Sequence, residues 1–305
     1  MTALGVANTI PAGNVRHRLG LGIEWFDALS QLPAPRGWTS ELRAIGSRPL
    51  VQRFEQHPRG RHALRHAGVL VAWLERADED KQAVPPATPA DDPTNVVLYG
   101  YGQIHPDVDQ YDTGNDPRVF VPRRLALTPV QAGGVPAATR DNIRQAWLWP
   151  GAAYPIPSKA SAVRGCVRRG ASLAAARPVP WARVVFTRPG SGAPNFSTES
   201  KLGHAHGDDR GEFLAVFGAG AVTGGAALPA QVNLHAWVFL PPAVPAFKPD
   251  DPLASLPLEV AGTDALNDLL RGTAVPPAYV RQSALPFTLT LGKVAVMDDT
   301  DLLFA

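Results

Sequence analysis

The segment Gly203–Asp209, with sequence GHAHGDD, holds the densest group of side chains that could do chemistry. In a strand, His204 and His206 would point to one face, with Asp208 two residues further on, which makes these three the candidate metal ligands. A metal site needs three or four ligands in closed geometry. A solvated turn explains the same residues, because Asp208 or Asp209 can cap the backbone before the next strand. We therefore expect neither a metal nor another cofactor.

Other nucleophiles and bases give no catalytic pattern. No G-x-S-x-G elbow occurs, and Ser191 lies in the flexible-turn sequence Pro189–Gly192. Cys166 lies in a strand-like run, where a packing role is expected. Three further histidines match a turn-to-strand position and are expected at a surface or interface: His57, His62 and His66. No phosphate-loop motif is present, so we expect a protein that is not an enzyme.

Composition favours a β-rich globular protein. The 305 residues include 31 prolines and 28 glycines without a collagen-like period, which is typical of many turns. The formal net charge is +2 and no dense Lys/Arg tract occurs, so nucleic acid is not an expected partner. The single cysteine excludes an intramolecular disulfide, and no apolar run approaches the roughly 20 residues of a membrane span.

Alternating apolar residues predict the strands. Residues 19–26 and 38–45 predict a hairpin, and further strands are expected at 96–101, 144–149, 162–168, 181–187, 212–217 and 232–240. Thr263 and Gly272 bracket a predicted short helix over residues 263–271. Residues 286–296 alternate again, and this tail strand could join its own domain or a neighbouring subunit.

We predict an all-β fold of two tandem immunoglobulin- or transthyretin-like antiparallel β-sandwiches with long loops and an extended C-terminal tail. The predicted borders are an N-terminal arm at 1–15, sandwiches at 16–130 and 131–240, and the extended segment at 241–305. The apolar residues of the tail strand are the candidate interface residues: Phe287, Leu289 and Leu291.

The two sandwiches can be matched as an internal repeat of strand, turn, Trp-led strand and polar-Gly-strand. In the second unit, VRGCV, Pro180–Val184 and Asp208–Phe213 resemble the pattern of the carboxypeptidase regulatory-like, or transthyretin-like, family. Gly211 would allow the tight turn and Phe213 would enter the core. The broader arrangement is similar to sandwich proteins encoded with phage tails and contractile injection particles.

That resemblance implies a structural or assembly component of such a particle, which is assembled in the cytoplasm and has itself and other particle proteins as partners. Edge-strand pairing would supply the contacts. The alternative is a carbohydrate- or surface-binding module, because indole rings stack on sugar C–H surfaces and the chain has seven tryptophans. Trp147 and Trp149 would then share a strand face, with a glycan as the partner.

Overall fold

Strands make up most of the regular structure in the computed structural model, which confirms the predicted all-β class. The structure describes residues 21–34, 37–44, 51–64, 79–80, 82–83, 85, 87, 96–102, 116–132, 135–136, 142–218, 230–242 and 252–305. Short helical pieces lie at 79–80, 82–83 and in the 3-10 turn Pro252–Ser255. The predicted arm at 1–15 lies outside the described residues.

The strands of the first half of the chain are β1 (Leu21–Asp27), β2 (Trp38–Ala44), β3 (Val51–Arg53), β4 (Glu55–His57), β5 (Arg61–Leu64), β6 (Val96–Gly102), β7 (Arg123–Leu127), β8 (Gln131–Ala132), β9 (Val135–Pro136) and β10 (Ile143–Leu148). Those of the second half are β11 (Ser161–Cys166), β12 (Arg168–Arg169), β13 (Arg177–Pro178), β14 (Arg183–Arg188), β15 (Ser200–His206), β16 (Glu212–Phe217), β17 (Gln231–Leu240), β18 (Leu258–Gly262), β19 (Val280–Thr290), β20 (Val294–Val296) and β21 (Leu303–Phe304).

The first sandwich packs the sheet β10-β1-β5-β4 against the sheet β18-β7-β6-β2-β3. Alternation in β1 sends Leu21, Ile23 and Trp25 into the core, where Trp25 meets the Trp38 ring edge-on with centroids 5.9 Å apart. β1 and β2 thus lie in opposite sheets, and the predicted hairpin between them is wrong. The turn after β1 instead brings Pro33 back beside Phe26 in an isolated antiparallel bridge.

The second sandwich packs the sheet β16-β11-β20 against the sheet β15-β14-β17-β19. Phe186, Phe213 and Phe217 meet in its core, which the predicted entry of Phe213 anticipated. Gly211 adopts a φ of 73°, and a Cβ there would come within 2.6 Å of the Val167 carbonyl oxygen. The tight turn before β16 therefore needs this glycine.

The chain passes between the two sandwiches more than once. β10 pairs in parallel with β1, and β18 pairs in parallel with β7, so two strands that the predicted borders assign to later segments belong to sheets of the first sandwich. β19 then pairs antiparallel with β17 in the second sandwich. The predicted tail strand therefore joins its own chain.

The residues between β18 and β19 form turns where a helix was predicted over 263–271, and that prediction is wrong. A single turn closes when the Arg271 amide donates to the Asn267 carbonyl, 2.9 Å away, and Gly272 ends it with a φ of 71°. Asn267 also accepts the Leu270 amide through its side chain, 2.7 Å away. This side-chain bond offers the backbone a turn in place of helical continuation.

A buried ion cluster of Arg123, Arg183 and Glu259 joins the two sandwiches. Arg123 comes from β7, Arg183 from β14 and Glu259 from β18. The Arg123 Nη2 lies 2.7 Å and the Arg183 Nη2 lies 3.1 Å from Glu259 carboxylate oxygens. Around it, the Trp181 indole donates to the Ser255 hydroxyl at 3.0 Å, and the Tyr279 hydroxyl donates to the Trp181 carbonyl at 2.9 Å.

Candidate functional site

Strand β15 places His204 and His206 on one face, as predicted, but both rings pack on an indole. The Trp149 ring stacks on His206 with centroids 5.3 Å apart and an interplanar angle of 27°, and it lies 5.6 Å from His204. His206 is buried, and its Nε2 lies 2.9 Å from the Gly272 carbonyl oxygen. Burial and the nearby cations Lys201 and Arg183 lower the pKa of His204 to about 4.

Asp208 lies in the turn after β15 and caps it. One carboxylate oxygen accepts the Arg210 and Glu212 amides at 2.8 and 3.0 Å, and the other faces Arg118 at 3.2 Å. Asp209 binds the same guanidinium at 2.8 Å. Burial raises the pKa of Asp208 to about 6. Among the described residues, no three His, Cys, Asp or Glu side chains are grouped to hold a metal ion.

A cleft of about 500 Å³ opens beside His204, on the face of the β15-β14-β17-β19 sheet that points away from the core. That face is apolar, because Val185, Trp237 and Phe239 lie there while their neighbours in the strands fill the core. Two loops rise over it: one carries Phe196 and the other runs from Thr273 to Tyr279. The cleft is the space between these loops.

Cations gather around the Phe196 ring at the edge of the cleft. The Lys201 ammonium lies 4.7 Å and the Arg281 guanidinium 5.5 Å from the ring centroid. Arg281 also lies 5.4 Å from the Trp237 ring. Asp268 lines the cleft as well, and its carboxylate lies 3.3 Å from Arg271. The site therefore combines aromatic walls with an excess of positive charge.

The loop that carries Phe196 is fixed from below by Glu199. Its carboxylate accepts the Asn195 amide at 3.1 Å and the Thr187 hydroxyl at 2.5 Å, and it pairs with His235 Nδ1 at 2.9 Å. Burial alone would raise the pKa of Glu199, but these hydrogen bonds and that of Trp237 outweigh it and lower the pKa to about 2. The loop is thus held by a charged side chain at ordinary pH.

The remaining catalytic candidates do not converge. His62 is buried and its Nδ1 lies 2.6 Å from the Ser40 hydroxyl, which also accepts the Trp25 indole N–H at 2.8 Å. Burial lowers the pKa of His62 to about 4. The hydrogen bonds of this bridge between the sheets join an indole, a hydroxyl and an imidazole. His57 is half-buried at the end of β4, and His66 lies outside the described residues.

Ser191 is exposed in a turn, as its sequence predicts. Cys166 is half-buried, and its thiol lies 3.5 Å from the Arg210 carbonyl oxygen. Burial raises the pKa of this thiol, so the thiolate is disfavoured. Neither residue has the environment of an activated nucleophile.

Tryptophans do not form an open platform in the described part of the chain. Trp25, Trp38, Trp149, Trp181 and Trp237 are all buried. Trp149 donates its indole N–H to the Arg271 carbonyl at 2.8 Å, and the half-buried Trp147 lies under the Arg271 guanidinium at 6.0 Å. The pair proposed for sugar stacking is therefore engaged with its own chain.

Of the candidate interface residues, Phe287 and Leu289 lie on β19, the edge strand of their sheet, and Leu291 follows its last residue. Leu289 is fully buried in the second core, while Phe287 and Leu291 pack against that core and are half-buried. Leu289 is therefore occupied within its own chain. The interface role of Phe287 and Leu291 stays a prediction.

The sequence analysis did not predict the cleft, although two strands carry a pattern that indicates a second covered face. The runs VVF in β14 and AWVFL in β17 are continuously apolar rather than alternating. A strand of this kind is covered on both faces, so loops must pack on its outer side. Which loops do so depends on residues 196 and 275–279, far away in the chain, and no local pattern encodes that.

Comparisons with known proteins give few matches. No protein-family model and no curated protein matches the chain. Among solved structures, a 9R-lipoxygenase from Cyanothece PCC8801 is similar over 27% of this chain and 11% of its own, at 15% identity and a TM-score of 0.20. The minor pilin GBS52 of Streptococcus agalactiae is similar over 91% of this chain and 92% of its own, at 11% identity and a TM-score of 0.20. In the described residues, no helix is long and apolar enough to cross a membrane.

Proposed function

We propose that this chain is a non-enzymatic structural or assembly component that makes oligomeric and edge-strand contacts. The observation that carries the proposal is the position of β19 at the edge of its sheet, with β20 at the edge of the facing sheet. β19 is 11 residues long and pairs on one side with β17, with no second strand on its other side among the described residues. Unpaired backbone groups on a strand of this length are a template for another chain.

The directions in which the backbone N–H groups of β19 point favour one end of the strand as the site of pairing with another chain. The Leu291 amide donates to the Ala230 carbonyl of the β17 side at 3.1 Å, so residues 289, 287 and 285 also face β17 and the residues between them face outward. Pro286 falls in the outward row, where it has no N–H to donate. Thr288 and Thr290 offer outward donors beyond it.

Exposed apolar side chains also lie on β20, the edge strand of the facing sheet. Val294 and Val296 are 48% and 74% exposed, and they share one face because they are two residues apart. Large exposed apolar side chains in a row are typical of interaction sites. We therefore assign the contact to residues 288–296, defined here as the edge segment.

We also propose that the second unit is a carboxypeptidase regulatory-like domain and that the particle is phage-tail-like or contractile, with assembly in the cytoplasm. Support for the domain comes from the motif positions. VRGC lies in β11, the Pro-led piece enters β14, and Asp208 and Gly211 form the turn before β16. Support for the particle is the sequence resemblance described above.

Light scattering after size-exclusion chromatography tests the assembly proposal. We expect the full chain to form a defined oligomer, and the double variant Val294→Asp, Val296→Asp to give the mass of one chain. Leu32→Asp is the matched control, because Leu32 is 63% exposed but lies in the first sandwich. A monomeric wild-type chain, or an oligomer unchanged in the double variant, would overturn the proposal.

A further inference from the structure

We propose that the cleft between the Phe196 loop and the Thr273–Tyr279 loop binds a small organic anion with an apolar body. This inference is independent of the assembly proposal, since the cleft does not involve the edge segment. Its volume of about 500 Å³ falls within the range of small-molecule sites, which is about 300–1,000 Å³.

The walls supply the apolar part of the recognition. Phe196, Val275, Pro276 and Phe239 line the cleft, and Phe196 meets the rings of Trp237 and Phe239 edge-on at 5.7 and 5.1 Å. These edge-on contacts fix the aromatic side chains before any ligand arrives. Burying apolar surface in such a preformed site avoids the cost of ordering it.

The charge of the ligand follows from the side chains at the rim. Lys201 lines the cleft, with its ammonium 4.7 Å from the Phe196 centroid, and the Arg281 guanidinium lies 5.5 Å from the same centroid at the edge of the cleft. Asp268, an acid that lines the cleft, already faces Arg271 at 3.3 Å. An anionic group in the cleft would be attracted by the Lys201 ammonium, whereas a cationic ligand would be repelled by it.

The neutral polar groups of the cleft offer few hydrogen-bond partners to a polyhydroxylated ligand. The Tyr279 hydroxyl is turned away toward the Trp181 carbonyl, and the Thr273 hydroxyl lies 3.2 Å from the Asp268 carbonyl. His204 packs on Trp149 and is uncharged near neutral pH, because burial lowers its pKa to about 4. Few free hydroxyl partners are left, so an apolar anion fits better than a polyhydroxylated sugar.

The first test uses 8-anilinonaphthalene-1-sulfonate as an apolar anionic probe, titrated into the native full chain. Binding is followed by probe emission and by quenching of tryptophan emission, since Trp237 adjoins the site. We expect a single saturable site. Replacement of Lys201 by methionine keeps the apolar stem and should weaken binding about tenfold, because a charge-assisted contact is lost.

Two further variants locate the site. Lys159→Met removes an exposed lysine that lies before β11, outside both the cleft and the edge segment, and should leave the affinity unchanged. Ala274→Phe fills the cleft and should abolish saturable binding. The free energy of unfolding of each variant is measured first. Affinities are compared only between variants of equal stability, because the probe also binds partly unfolded protein.

Competition between the probe and two naphthalene compounds distinguishes the contribution of ligand charge to binding from that of the apolar ring. We expect naphthalene-2-sulfonate to displace the probe and the uncharged naphthalene-2-methanol to do so at least about tenfold more weakly. Equal displacement by both compounds would overturn the anionic assignment. Unchanged binding in Lys201→Met or in Ala274→Phe would overturn the site itself.

Discussion

Arg123 uses all five of its guanidinium N–H donors inside the protein. Two go to Glu259, at 3.1 and 2.7 Å, and the other three go to the carbonyl oxygens of Trp147, Leu269 and Leu270. Both charged side chains are almost fully buried. A buried pair of this kind is stable only while both partners and their hydrogen bonds are present.

Replacing Glu259 by glutamine should therefore lower the free energy of unfolding by about 3 kcal/mol, because it leaves Arg123 and Arg183 buried without a counter-charge. Chemical denaturation measures this change. Asp268→Asn is the control, since its pair with Arg271 is exposed and such pairs contribute less than about 1 kcal/mol. Equal effects of the two substitutions would contradict the assigned role of the cluster.

Gly100 packs beneath two indole rings of the first core. A Cβ at this position would lie 2.5 Å from Trp25 Cζ2 and 3.0 Å from Trp38 Nε1. We expect Gly100→Ala to lower the free energy of unfolding by about 1–3 kcal/mol through overpacking. Gly190→Ala, where a Cβ meets nothing within 4 Å, is the matched control and should change little. The comparison fails if both alanine variants unfold at the same denaturant concentration.

The buried His62 and the half-buried His204 predict lower stability in mild acid. The pKa values of His62 and His204 are lowered from 6.5 to about 4, so the unfolded chain binds more protons between these values and stability falls as pH falls through that range. Asp208, with its pKa raised to about 6, acts in the opposite direction and offsets part of the loss.

His204→Gln should therefore reduce the loss of unfolding free energy between pH 7 and pH 4.5 by about 2 kcal/mol. Unfolding curves for both proteins at both pH values measure it. Ser191→Ala, in an exposed turn without a titratable side chain, is the control substitution and should leave the loss unchanged. A parallel loss in wild type and His204→Gln would refute the burial of a neutral imidazole at this site.

At the scale of elements, local alternation predicted most strands closely. The prediction at 212–217 coincides with β16, and 38–45 and 232–240 differ from β2 and β17 by a residue. Local patterns show which residues alternate between apolar and polar, and such alternation predicts a strand whatever its partner strands are. They do not report partners, so the parallel pairing of β10 with β1 and of β18 with β7 was not predicted.

Some features of the candidate site also follow from local sequence, and others do not. The turn-capping role of Asp208 follows from its type and position before β16, and the structure has that cap. The shared face of His204 and His206 follows from strand periodicity. Their packing on Trp149 and the cleft beside them do not, because these contacts join segments more than 50 residues apart.

The tail is an integral part of the second sandwich, which changes what its removal should do. The sequence leads us to expect that deleting residues 286–305 impairs assembly more than folding. In the structure, this deletion removes half of β19 and the buried side chains Leu289, Met297 and Leu302. We now expect loss of the second core, seen as loss of the near-ultraviolet circular dichroism of its aromatic residues. A truncated chain with a wild-type spectrum would contradict this.

At the scale of the whole molecule, the two sandwiches are tied by charge and by chain path. Arg118 of the first half binds Asp208 and Asp209 of the second, and the Arg123–Glu259–Arg183 cluster lies between the sheets. The chain crosses between the sandwiches through β18 and β19. A scaffold held in this way presents its outer edges in fixed positions, which suits a component that assembles through them.

Hydrogen exchange measured as a function of protein concentration tests the central claim of edge-strand assembly most directly. The account predicts that peptides covering the edge segment, with the outward amides of Thr288 and Thr290, gain protection as concentration rises. Peptides from β1 and β5 in the first sandwich should not change. Exchange in the edge segment that is independent of concentration, while the protein oligomerises, would contradict the account.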